Sequence, residues 1–174
     1  MLMESFWTEV TGPNLAQGDW LMACPLPVFP SEYALSGKPA GVRVDKADVI
    51  VITQSCDLEN SKAPLVAMCP IFTISELARF DEQLAKPDTL ERIRKGIQPA
   101  YLMLASPDDP ADNRQALVVD FRAIHSLPVA FLQSHAATLG LRWRLRPPYL
   151  EHFSQALARF FMRVGLPSAI PKFK

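Results

Sequence analysis

The segment Val49–Asn60, with the sequence VIVITQSCDLEN, gives the clearest indication of the fold. It begins with four β-branched apolar residues, and a run of this kind favours a buried strand. Polar and reactive side chains follow, so we predict a core strand over Val49–Thr53 that leads into a loop. The loop carries a hydroxyl, an amide, a thiol and a carboxylate within a few residues. This density of polar chemistry makes it the first candidate for a functional site.

Cys56 is the candidate nucleophile of this loop, and Asp57 is its neighbouring acid. A thiol is activated by a nearby base or positive dipole, and the loop itself supplies no base. The chain has three histidines, and His125 is the best placed of them because it lies on a predicted strand segment. The structural alternative is that Asp57 caps a turn through its carboxylate and Cys56 packs against its neighbours.

Overall charge and composition restrict the class of protein. The chain has 174 residues, and its 18 basic and 18 acidic side chains cancel, so nucleic-acid or membrane binding has to rest on a local patch. No apolar run approaches the roughly 18 residues of a membrane span. An odd number of cysteines without a C-x-x-C pair argues against a disulfide framework and for a reducing compartment. We therefore expect a cytoplasmic protein that does not associate with membranes.

The cysteines also raise the question of a metal. Cys24, Cys56 and Cys69, together with one histidine, have the ligand types of a tetrahedral zinc site. Their spacing does not support such a site, and each follows an apolar stretch. Small core or strand-end residues are the simpler interpretation, so no metal and no other cofactor is predicted.

Short apolar stretches separated by turn signals predict most of a sheet. Residues 1–17 form an N-terminal arm, and the first strand is expected to end at Pro25, Pro27 and Pro30. Val49–Thr53 and Leu65–Ile71 form a hairpin with a wide loop. The predicted strands are Gly18–Cys24, Val49–Thr53, Leu65–Ile71, Tyr101–Leu104, Leu117–Phe121, Ile124–Val129 and Leu141–Arg146.

Helical spacing appears in two places. Residues 74–98 form an inserted helical segment, with Thr73 or Ser75 as the N-cap and a second helix over Thr89–Lys95. Residues 149–165 form an amphipathic C-terminal helix that ends at Gly165. The chain is therefore predicted to be a single α+β domain over residues 1–174, a small barrel with helices on its outside.

A basic ladder is predicted near the C-terminus. Leu141–Arg146 alternates apolar and basic residues, which in a strand directs Arg142, Arg144 and Arg146 to one face. Three guanidinium groups in a row suit a phosphate backbone. The alternative is a solvated outer face without a ligand.

The order of these features resembles that of the MazF/PemK toxin family. The resemblance rests on Gly18-Asp19-Trp20, Val49–Asn60, Leu65–Thr73, and the closing strands and helix that follow Val119-Asp120. It extends over roughly residues 18–165. The family resemblance implies a small SH3-like barrel, here with the inserted helical segment at 74–98, and a metal-independent endoribonuclease in which an arginine and a threonine assist the attack of the RNA 2′-hydroxyl.

The resemblance assigns roles to particular side chains. The position of the family's arginine is occupied by Ala47, with Lys46 beside it, and a lysine neutralises a phosphate without clamping it through two hydrogen bonds. Lys46 or an arginine of the ladder would stabilise the phosphate. Thr73, Thr53 and Asp57 would orient the reacting oxygens or exchange protons with them.

The expected function is binding of RNA or of a partner protein, such as a cognate antitoxin, in a toxin or defence system. The binding surface would consist of the Thr53–Asn60 loop, including Gln54, and the arginine ladder. A homodimer is left open. Two alternatives stand beside this expectation: a non-catalytic interaction module of a defence or mobile-element system, and an enzyme that depends on Cys56.

Overall fold

The computed structural model describes residues 5–36 and 41–162, and these contain eight strands and six α-helices. The strands are β1 (Trp7–Val10), β2 (Trp20–Val28), β3 (Arg43–Val51), β4 (Leu65–Thr73), β5 (Tyr101–Leu104), β6 (Leu117–Asp120), β7 (His125–Pro128) and β8 (Arg142–Leu145). The helices are α1 (Ser31–Ser36), α2 (Ser55–Glu59), α3 (Ile74–Phe80), α4 (Pro87–Arg94), α5 (Val129–Leu139) and α6 (Tyr149–Phe161). A 3₁₀ turn covers Asn113–Gln115.

The strands form an antiparallel sheet with the order β2-β3-β4-β6-β5, and β7 also pairs with β4. β1 and β8 pair separately. The predicted α+β class is confirmed, whereas the expectation of a closed barrel is wrong for the described residues. The sheet stays open because two different strands pair with the edge of β4 that faces away from β3. Leu65–Met68 pair with β7, and Ile71–Thr73 pair with β6.

The hairpin that the sequence predicts is present, since Val49 lies opposite Pro70 and Val51 lies opposite Met68. Alternate side chains of β3 enter two different cores. Ile50 packs into a cluster with Phe153 of α6, and Val49 packs into a cluster with Leu132 of α5. The strand is therefore covered on both faces, which explains its continuous apolar sequence.

One predicted strand end is wrong near the N-terminus. β2 continues through Pro25 and Pro27 to Val28, because it is an edge strand and its outer side needs no N–H donors. The arm at residues 1–17 contains strand β1, in which Trp7 is buried.

The helical predictions are largely confirmed. Thr73 is the N-cap of α3, and α4 begins at Pro87, two residues before the predicted start at Thr89. α6 begins at Tyr149 as expected, while Gly165 lies outside the described residues. The prediction of one domain over residues 1–174 stays a prediction. No helix of the described part is long and apolar enough to cross a membrane.

Candidate functional site

Asp19, just before β2, lies buried between two arginines. Its Oδ2 accepts hydrogen bonds from Arg142 Nε and Nη2, both at 3.2 Å, and from Arg144 Nη2 at 3.0 Å. Arg144 Nε donates to Oδ1, and the Ala16 backbone N–H donates to Oδ2 at 3.1 Å. We call Asp19, Arg142 and Arg144 the Arg–Asp–Arg triad. One carboxylate faces two guanidinium groups, so the triad carries one uncompensated positive charge.

The second role of Arg142 is to fasten residues 11–17, the segment between β1 and β2. Its Nη1 donates to the Gly12 carbonyl at 2.6 Å, and its Nη2 donates to the Asn14 carbonyl. Gly12 has φ +81°, a left-handed conformation that glycine adopts without a steric penalty. Arg142 thus holds a turn of the segment against β8.

The predicted arginine ladder is corrected by this arrangement. Arg142 is completely buried, Arg144 is 27% exposed, and Arg146 lies beyond the end of β8 and is exposed. The guanidinium face of β8 is covered because the segment 11–17 and Asp19 lie over it. Arg142 is therefore not available to a phosphate backbone, and Arg144 reaches solvent only at one side.

A cleft of about 490 Å³ opens beside Arg144. It lies between the segment 11–17, α2 with the turn after it, and α5. We call it the triad cleft. Glu59 of α2 also lines it and is the carboxylate among its lining residues. The lining residues are Asn14, Leu15, Ala16, Leu58, Glu59, Ser61, Val129, Gln133 and Arg144.

Gln17 joins the segment 11–17 to the α2 region. Its backbone N–H donates to Ser55 Oγ at 3.1 Å, and its Nε2 donates to the Ile52 carbonyl at 3.1 Å. Its Oε1 accepts a hydrogen bond from Ser154 Oγ of α6 at 3.1 Å. The buried Gln17 therefore fixes the two walls of the triad cleft relative to each other.

Several polar side chains of the predicted loop support the local fold. Thr53 Oγ1 accepts a hydrogen bond from the Ala67 N–H at 2.7 Å, which extends the β3–β4 contact past the end of β3. Asn60 Nδ2 donates to the Cys56 carbonyl at 2.6 Å and closes α2. The loop is therefore a short helix closed by the Asn60 side chain, and its exposed residues are Gln54, Cys56, Glu59 and Asn60.

The structure does not assemble the Cys56–His125 pair. Cys56 is exposed, and its Sγ lies 3.8 Å from Gln54 Oε1 and 3.9 Å from Asp57 Oδ1. His125 is on β7, opposite Met68 and on the far side of β4 from β3. Within the described ranges no hydrogen bond joins the thiol to an imidazole.

The groups assigned by the family resemblance are also separated. Thr73 Oγ1 donates to Glu76 Oε2 at 2.8 Å and accepts from the Glu76 N–H at 3.2 Å, so its hydroxyl belongs to a capping box. Thr53 contacts Ala67, which lies six residues before Thr73 on β4, a distance of about 20 Å along the strand. Lys46 is exposed on β3 opposite Pro25. These positions do not converge on one reacting group.

The three cysteines lie in three different environments. Cys24 and Cys69 belong to separate core clusters, and Cys56 is exposed. Burial raises the pKa of Cys24 to about 11 and the pKa of Cys69 to about 12. The zinc ligand set considered from the sequence is therefore not gathered at one place.

Sequence reasoning missed the residues that build the triad cleft. In the sequence, Asp19 is recognised only as part of the Gly-Asp start of a strand. A single acid beside a buried strand, together with an Arg-x-Arg strand elsewhere in the chain, is a signal that would have indicated a buried ion pair. Gln133 was missed because α5 was not predicted. The apolar spacing of Val129, Leu132, Ala136 and Leu139 is typical of a helix and would have indicated it.

Comparisons with known proteins do not assign this site. No protein-family model matches the chain, and no curated protein matches it.

Proposed function

We propose that the protein binds RNA without cleaving it and that the triad cleft holds a phosphate of the RNA backbone. One observation carries this proposal: the Arg–Asp–Arg triad has one uncompensated positive charge, and Arg144 presents it at the cleft wall with 27% of its side chain exposed. A guanidinium that is already held in place loses little side-chain entropy when it binds an anion. Phosphate contacts of this kind position a protein on a nucleic acid.

The separation of the candidate catalytic groups supports binding over cleavage. Attack by a 2′-hydroxyl needs a proton acceptor and a phosphate clamp within hydrogen-bonding reach of the same phosphodiester. Thr53 and Thr73 are engaged at opposite parts of β4, and Lys46 lies on the exposed part of β3. We therefore assign a binding role to Arg144. We assign no catalytic role to Thr53, Thr73 or Lys46.

A distant relationship to the MazF/PemK family is part of the proposal. It is supported by the order of the elements: a Gly-Asp start before β2, the β3–β4 hairpin, the later strands and the C-terminal helix. In this proposal the open sheet of this chain corresponds to the SH3-like barrel of the family. A toxin or defence context with a cognate protein is proposed by analogy with the family alone.

The test is RNA binding measured by fluorescence anisotropy with a labelled RNA of mixed sequence. We expect Arg144→Gln to weaken binding about tenfold or more, since a charge-assisted hydrogen bond contributes about 1.5–3 kcal/mol. Glu59→Gln removes the carboxylate from the same cleft and is expected to tighten binding. Raising the salt concentration should weaken wild-type binding, with a smaller slope in Arg144→Gln.

Arg114→Gln is the matched control, because Arg114 is an exposed arginine outside the triad cleft. It should bind RNA as the wild type does. Thermal unfolding of each variant separates loss of binding from loss of structure. Absence of RNA binding by the wild type would refute the proposal and favour a protein partner, and RNA fragments ending in 2′,3′-cyclic phosphate in EDTA would refute the non-cleaving role.

A further inference from the structure

The far end of the β2–β3 pair carries an open strand edge. We call Pro25–Val28 of β2 and Arg43–Lys46 of β3 the ribbon. β3 pairs with β4 only over Val49–Val51, so within the described residues the ribbon part of β3 has a paired neighbour on one side alone. All four residues of Arg43–Lys46 are exposed, and Val44 is 58% exposed. An unpaired edge with exposed apolar side chains is a template for a further strand.

The prolines of the ribbon show which backbone groups face this edge. Pro27 lies opposite Val44, and Pro25 lies opposite Lys46. Proline has no N–H, so these two positions are the non-hydrogen-bonded pairs of the antiparallel ladder. The N–H and C=O groups of Val44 and Lys46 therefore point away from β2 and towards the open edge.

We propose that this edge pairs antiparallel with the same edge of a second copy of the chain, with a two-fold axis at Val44. Outward-facing groups must meet outward-facing groups, which allows the two-fold axis to pass through any residue of Arg43–Lys46. A centre at Arg43, Asp45 or Lys46 sets like charges opposite each other. A centre at Val44 sets Arg43 of each copy opposite Asp45 of the other.

The geometry of this register favours the charge pairs. Arg43 and Asp45 occupy non-hydrogen-bonded positions of the new ladder, where opposite Cα atoms are about 4.5 Å apart and side chains approach most closely. In the isolated chain, Arg43 Nη2 already donates to Asp45 Oδ2 at 2.8 Å on one face of the strand. Two copies would join these pairs into a cluster of two guanidinium groups and two carboxylates, with the two Val44 side chains in contact on the other face.

The outer edge of the ribbon limits assembly to two copies. Pro25 and Pro27 lie on β2, which is the last strand of the sheet, and their missing N–H groups prevent regular pairing on that side. Pairing through β3 is isologous and therefore closes. The expected assembly is a dimer with the strand order β2-β3-β3-β2 across the two-fold axis.

Sedimentation velocity tests this proposal without any RNA. An edge of this length buries less than the roughly 1,200 Å² of a standard complex, so wild-type protein is measured up to about 500 µM. The weight-average mass should rise with concentration from the 19.4 kDa of one chain towards twice that value. Arg43→Asp alone and Asp45→Arg alone set like charges opposite each other and should stay monomeric.

The decisive sample is the equimolar mixture of Arg43→Asp and Asp45→Arg. Its two chains restore opposite charges at both pairs, so a heterodimer should form although neither variant associates alone. Arg114→Asp is the matched control, since Arg114 pairs with Asp112 two residues away as Arg43 does with Asp45, and it should dimerise like the wild type. A wild type that remains monomeric, or single variants that dimerise normally, would overturn the proposal. So would a mixture that stays monomeric.

Discussion

Two Arg–Asp clusters of this protein have similar chemistry and opposite surroundings. In the triad, Arg142 and Asp19 are both completely buried, and the carboxylate accepts hydrogen bonds from two arginines. On the ribbon, Arg43 and Asp45 are 71% and 50% exposed and pair with each other across one strand face. A buried pair cannot exchange its partner for water, whereas an exposed pair does so at little cost. The first cluster therefore holds the fold together, and the second is free to change partners.

Removing Arg142 is expected to have the largest effect and would sharpen this contrast most. Arg142→Met leaves the Gly12 carbonyl without its donor, removes one of the two donors to the Asn14 carbonyl, and removes one of the two cations around Asp19. We expect the free energy of unfolding to fall by about 3–5 kcal/mol, because the four hydrogen bonds of a completely buried guanidinium are lost. Urea unfolding followed by circular dichroism measures it.

The control for this change is Arg146→Met. Arg146 is exposed beyond the end of β8, so its replacement should change the free energy of unfolding by less than about 0.5 kcal/mol. Equal effects at positions 142 and 146 would show that Arg142 is not part of a buried network.

Replacing the acid should have the next largest effect. Asp19→Asn keeps the shape and one acceptor oxygen but leaves the buried Arg142 guanidinium without a counter-charge. We expect a loss of about 2–3 kcal/mol in the free energy of unfolding, because hydrogen bonds to a charged group are replaced by neutral ones. Adding 1 M NaCl should not restore stability, since ions do not reach the completely buried Arg142 guanidinium. Recovery in salt would indicate that Arg142 is open to solvent.

The exposed cluster should respond far less. Arg43→Ala removes an ion pair that is already well solvated, so the free energy of unfolding of the monomer should change by less than about 0.5 kcal/mol. The measurement is made at about 1 µM, where an interface smaller than the standard size is dissociated. A loss approaching that of Arg142→Met would remove the distinction between the two clusters.

The sequence predicted those parts of the molecule in which local pattern and burial agree. The run Val49–Val51 is apolar throughout and is a core strand, and Thr73, one of the two expected N-cap residues, is the N-cap of α3. The alternation at Arg142 and Arg144 predicts a strand with two faces, and the structure has that strand. The polar face was expected to meet a phosphate backbone or solvent, because a periodicity does not show that a distant acid, Asp19, covers it.

The candidate site could not be predicted from the sequence, because local patterns do not show contacts between distant residues. The triad cleft combines residues 14–16, α2, α5 and β8, which are separated in sequence by as many as 130 positions between Asn14 and Arg144. Only the tertiary fold brings them together. Strand ends were also misjudged, since Pro25 and Pro27 end a central strand but are tolerated at an edge.

The smallest predicted effect concerns Asp112 and Arg114, a third Arg–Asp pair, which is exposed on the arginine side. Arg114 Nε donates to Asp112 Oδ1 at 2.9 Å, and this hydrogen bond is the main cause that lowers the pKa of Asp112 to about 2. A carboxyl pKa that is depressed in the folded state stabilises the fold above its unfolded value, and this contribution is lost as the pH falls towards 2. In Arg114→Gln, NMR titration should place the Asp112 pKa closer to its ordinary value of 3.8, with unfolding at neutral pH almost unchanged. An unaltered Asp112 pKa would show that the ion pair does not persist in solution, and the exposed clusters would then differ from the buried triad in being only transiently formed.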